Sequence, residues 1–147
     1  MLRSRLIHVA IASALFITGF AAGRVFDPAP VVFAQKAGRV FEIRRYTTLE
    51  GRLDALNARF RDHTVRLFQK HGMTNIGYWT PVDEQMSRNT LIYVLAHPDL
   101  ETAKKNWEAF RSDPEWIKTR TTSEAQGKIV EKVDSMFLTA TDYSPLK

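Results

Sequence analysis

Residues 53–72 constrain this chain more than any other stretch. Leu53, Leu56, Phe60, Leu67 and Phe68 recur at helical spacing and share one face of a helix predicted over 50–71. Gly72 follows, at the position where a left-handed residue closes a helix. Such a face must be laid against another layer, and the flanking sequence supplies strands. In VFEIRRY, residues 40–46, Phe41 and Ile43 alternate with Glu42 and Arg44. In TNIGYWT, residues 74–80, Ile76 and Tyr78 share one face, and Gly77 and Trp79 the other. A polar hairpin loop, 81–88, leads to NTLIYVLA, residues 89–96, a third strand rich in β-formers.

The second half repeats the scheme. Asp99 is placed to cap a helix over 100–111, with Leu100, Ala103, Trp107 and Phe110 inward and Lys104, Lys105, Glu108 and Arg111 toward water. Asp113 and Pro114 start a further helix that carries Trp116 and ends before Gly127. A last strand is predicted over 129–141, with Met136, Phe137 and Leu138 at its middle. Thr47 and Glu50 fit a capping box for the first helix. The order β-α-β-β-α-β is the α+β, ferredoxin-like arrangement, a four-stranded antiparallel sheet with helices on one face. Its other face would carry Trp79 and further large residues into water, and pairing two sheets in a two-fold dimer would cover them.

Residues 1–34 read as an address ahead of a domain over 38–147. Arg3 and Arg5 precede an uncharged apolar run, 6–22, the pattern of an export signal. Cleavage after Ala34 would release a soluble extracytoplasmic protein. Without it, 6–22 is close to the length of a spanning helix and would anchor the chain. Both outcomes stay open at this stage. A mitochondrial transit peptide fits poorly, because the apolar run is unbroken. The chain carries +5, and removing 1–34 leaves 18 basic and 15 acidic residues, a net +3. That is no concentrated basic patch, so nucleic acid is not expected as a partner. The absence of Cys excludes disulfides, thiolate metal sites and a Cys nucleophile.

His63 is the candidate catalytic residue. It falls about 60° from the centre of the first helix's apolar face. Arg52, Arg59, Arg66 and Lys70 lie on the same flank. A neutral imidazole there could act as a base while the cations hold an anion; a boundary histidine beside a solvated basic flank is the plainer alternative. His71, at the helix end, suits the dipole, and His97 before Pro98 suits a turn. No HxH, HxxxH or HExxH occurs, so no metal site is expected. GxSxG, P-loop and GxGxxG are also missing. Tyr46, Tyr78 and Trp79 are polar-tipped aromatics suited to a pocket or a dimer seam, with Trp79 assigned to the seam. Trp107 and Phe110 read as core, with Trp107 also a candidate pocket lining.

FEIRRYT, RFRDHTVRLFQKHG, GYWTP, NTLIYVLAHP, WEAFRSDPEW and SMFLTATDYSP resemble, in sequence and in order, the NIPSNAP domain family. The resemblance covers about 40–146 and implies a dimeric α/β-barrel, a homodimer through the sheet faces. The family has no firmly assigned reaction. Its superfamily cousins include cofactor-free monooxygenases and haem-degrading oxygenases, which use a pocket between sheet and helices. The haem-degrading cousins ligate haem through a His on the second helix. Residues 100–111 contain none, which counts against haem by that route; no cofactor is predicted, and haem binding stays as a third, weaker reading beside the two that follow. Two readings follow. The first is an exported, dimeric, small-ligand-binding or structural protein without catalysis. The second is a cofactor-free monooxygenase or isomerase acting on a small aromatic or anionic substrate. Tyr46, Arg59, His63, Tyr78 and Trp107 are the ligand-binding candidates.

Overall fold

The sheet is built around β1 (Val40–Thr48), which pairs antiparallel with β3 (Thr90–His97) on one side and β4 (Val130–Thr139) on the other. β2 (Thr74–Trp79) joins β3 as the far edge, giving the order β2-β3-β1-β4. The computed structural model describes residues 38–147. The export segment, its cleavage after Ala34 and the anchor at 6–22 lie outside the described residues. No helix among the described residues is long and apolar enough to cross a membrane.

One helical run links β1 to β2. It consists of α1 (Leu53–Arg59), a π-helical turn (Phe60–Thr64) and α2 (Val65–Lys70). After β3 come α3 (Leu100–Ser112) and α4 (Pro114–Ser123). The element order and the antiparallel sheet are those expected from the sequence. Glu42, Arg44 and Tyr46 on β1 lie opposite Leu95, Tyr93 and Leu91 on β3, all on the face beneath the helices. Leu56, Phe60, Leu67 and Phe68 pack down on that face, and Trp107 and Phe110 of α3 join them. Rings fill the layer between: Phe60 meets Tyr46, Tyr78 and Tyr93, and Phe68 meets Tyr93, Trp107 and Phe110, at centroid distances of 4.9–5.8 Å.

Several local expectations are corrected. The Thr47–Glu50 capping box does not form, and α1 starts at Leu53 behind Arg52 with no side-chain cap. The ladder outlasts it: Thr48 N–H donates to the Asn89 carbonyl at 2.8 Å and Leu49 N–H to that of Ile129 at 3.0 Å. The chain then needs Gly51, at φ 67°, to leave the sheet. A bulge between Asn75 and Gly77 removes Ile76 from the ladder, so Asn75 and Tyr78 share the helix-side face instead of Ile76 and Tyr78. Leu100, expected in the core, is 44% exposed at the first position of α3. Gly72 has the left-handed φ (72°) that closes α2. Asp99 and Asp113 cap α3 and α4 through Thr102 N–H and Glu115 N–H.

Candidate functional site

α1 and the π turn run beside α4, and a groove of about 540 Å³ separates them. Ala55 and Ala58 give one wall its space, because neither fills it with a side chain. Arg59, Asp62 and His63 line the same wall. Thr119, Thr122 and Ser123 present hydroxyls from α4, flanked by the charges of Glu115 and Lys118. His63 and Arg59, two of the sequence candidates, thus meet in one groove. They differ in kind there. His63 is exposed, whereas Arg59 is buried against the Trp116 ring, 5.5 Å from its centroid. Arg59 Nη1 donates to Ser123 Oγ and to Glu124 Oε1, each at 3.3 Å. Burial pushes the Glu124 carboxyl up, but the Arg59 bond and charge hold it below its usual value. A π turn carries an extra residue per turn and recurs at functional sites; here Thr64 Oγ1 also donates to the Arg59 carbonyl at 3.1 Å.

The other candidates lie elsewhere, beneath the helices. Tyr46 and Tyr78 are half-buried against Tyr93, and burial raises the Tyr78 hydroxyl's pKa. Trp107 is buried and donates from Nε1 to Glu42 Oε2 at 2.6 Å. The sequence reading missed the group that Trp107 serves. Glu42, 1% exposed, also takes Arg44 Nη1 at 2.6 Å and pairs with His97 Nε2 at 3.2 Å. Burial alone would push its carboxyl up; the bonds from His97, Trp107 and Arg44 outweigh that and hold it low. Arg44 lies 4.3 Å from the Trp107 centroid. Three atoms around this pair, Arg44 Nε, Tyr93 Oη and His97 Nδ1, are buried without hydrogen-bond partners. One signal could have exposed the cluster: two opposite charges at i and i+2 on a central strand share a covered face and must be paired. His97 is therefore a buried partner of Glu42 rather than a shaper of the Pro98 turn. His71 Nε2 reaches Asp113 Oδ2 at 2.6 Å, beside Lys70 Nζ at 2.7 Å, so it ties α2 to the α3–α4 corner as well as ending its helix. No group of His, Asp and Glu suited to a metal occurs among the described residues.

Comparisons with known proteins bear on the whole described region. The NIPSNAP family model matches residues 41–145. No curated protein matches the sequence. Among solved structures, the chain is similar to a NIPSNAP family protein from Agrobacterium tumefaciens, 18% identical, with a TM-score of 0.65 over 74% of this chain and 99% of that one. It is similar to an uncharacterized NIPSNAP-like domain protein from Burkholderia xenovorans, 16% identical, TM-score 0.63, over 74% and 90%. A more distant likeness is SnoaB, a cofactor-independent oxygenase from Streptomyces nogalater, 14% identical, TM-score 0.51, over 74% and 99%. At these identities the likeness is one of fold.

Proposed function

The chain belongs to the NIPSNAP family, and from that premise we propose that it is an exported, homodimeric module that acts by binding rather than by catalysis. The observation that supports the homodimeric part of this reading is β4. Val133 and Phe137 lie on the sheet's helix side and Met136 and Leu138 on the other, and all four are exposed. A ten-residue edge strand with apolar side chains on both faces is a surface that folded proteins cover. Trp79, 52% exposed on the face away from the helices, adds to it. A second copy would cover both, since a two-fold interface presents the same patch twice.

The oxygenase reading needs space between sheet and helices. That layer is occupied by Phe60, Phe68, Tyr93 and Trp107. The test is sedimentation of the full chain over a range of concentrations. Dimers are expected, and Phe137→Glu should shift them toward monomer. A wild-type monomer throughout would overturn the dimeric reading, and turnover abolished by His63→Ala would overturn the non-catalytic one.

A further inference from the structure

The buried cation of the α1–α4 groove is short of partners. Arg59 is 5% exposed, yet only Nη1 is bonded, and both of its bonds are long at 3.3 Å. Its Nε is buried with no partner at all. A guanidinium carries five donors, and its bonds to carboxylates ordinarily run about 2.7–2.9 Å. The Arg44–Glu42 bond in this same protein reaches 2.6 Å, so long contacts are not general to the chain. Nη2 makes no bond and, unlike Nε, is not sealed from solvent, so it is the donor that an anion seated in the groove can reach. The groove has room for one, beside the small Ala55 and Ala58. Trp116 backs the guanidinium and limits its rotation.

We propose that this groove binds a small monocarboxylate, whose oxygens take the unpaired donors of Arg59. A guanidinium receives a carboxylate through parallel N–H···O bonds, and the Thr119 and Thr122 hydroxyls on the facing wall can add to them. The surroundings select a single negative charge. Glu115 is already paired with Arg66 and Lys70, and Glu124 with Arg59 and Arg120, whereas Asp62 lines the groove with no ion-pair partner among the described residues, as does Lys118. A second negative charge, as on phosphate, would meet the unpaired carboxylate of Asp62. His63, exposed at the same wall, lies beside the ligand. Carboxylate binding rests on the reading of this protein as a binding module, and is independent of its dimerisation.

The experiment titrates the full chain with sodium acetate and, separately, sodium benzoate at constant ionic strength, following the Arg59 Nε–Hε resonance by NMR. At least one should move it saturably, while sodium chloride and inorganic phosphate should not. Ala58→Leu fills the groove and leaves the partners of Arg59 in place; by that resonance it should weaken binding about tenfold or more, and Arg59→Lys, which lacks the resonance, should do the same by isothermal titration calorimetry. If Arg59→Lys does not fold, Ala58→Leu alone decides. No saturable shift with either acid, equal binding of phosphate, or unchanged affinity in Ala58→Leu would overturn the proposal. Failure here with dimers intact removes the carboxylate only; a monomer that still binds removes the dimer only.

Discussion

Replacing Glu42 with glutamine removes the charge that Arg44, His97 and Trp107 surround, and leaves Arg44 without its counter-ion. Breaking a buried pair from one side costs about 3–5 kcal/mol, so urea unfolding of Glu42→Gln should show a loss of that order. The pH dependence has a definite sign. The folded carboxyls of Glu42 and Asp113 both titrate below their unfolded values. For Asp113 the causes are the bonds from Lys70, His71 and the Glu115 amide, in that order. Their stabilising contributions are therefore complete above pH of about 4–4.5 and fade as pH falls through the lower folded values. Unfolding at pH 3 against pH 6 should show a smaller difference in Glu42→Gln than in the wild type. Alternation alone revealed that Glu42 and Arg44 share a face of β1. Which face lay under the helices depended on the partner strands, so the pair was not recognised as buried.

At the scale of elements, the long helical run was legible because Leu53, Leu56, Phe60, Leu67 and Phe68 all face inward as their spacing demands. Phe68→Ala should cost about 3–5 kcal/mol in chemical denaturation, since that ring touches Phe60, Tyr93, Trp107 and Phe110. Gly72→Ala forces a left-handed backbone on an L side chain and brings its Cβ to 3.1 Å from Asn106 Nδ2. A loss of about 1–2 kcal/mol is expected, read from thermal unfolding. The π turn was not legible. A 3.6-residue period is blind to a single widened turn, and nothing in RFRDHT marks one. The Asn75–Gly77 bulge was missed for the same reason: a period-2 pattern of six residues cannot register one skipped position.

At the scale of the whole molecule, the exposed apolar surface of β4 is the place to test for assembly. If a second copy covers it, the urea midpoint should rise with protein concentration, because dissociation and unfolding are linked. Met136→Lys should abolish that dependence. That large apolar side chains would reach the surface was legible in Trp79 and in the clustered Met136, Phe137 and Leu138, all of them exposed. The exposure of β4 on both faces was not, because the sequence does not say that its outer edge is unpaired or that the helices stop short of it.

By itself, the order of periodicities determined the elements and their antiparallel sheet, because period and punctuation are local properties of the chain. Gly72, Asp99 and the Asp113–Pro114 pair acted where expected for that reason. Only tertiary packing decided the fates of the charged and aromatic candidates. Arg59 and His63 line one groove because α4, distant in sequence, lies across from them. Trp107 belongs instead to Glu42, 65 residues away. Contacts of that span depend on how layers stack, and a hydrophobic pattern records only that a face is covered, not which side chain covers it.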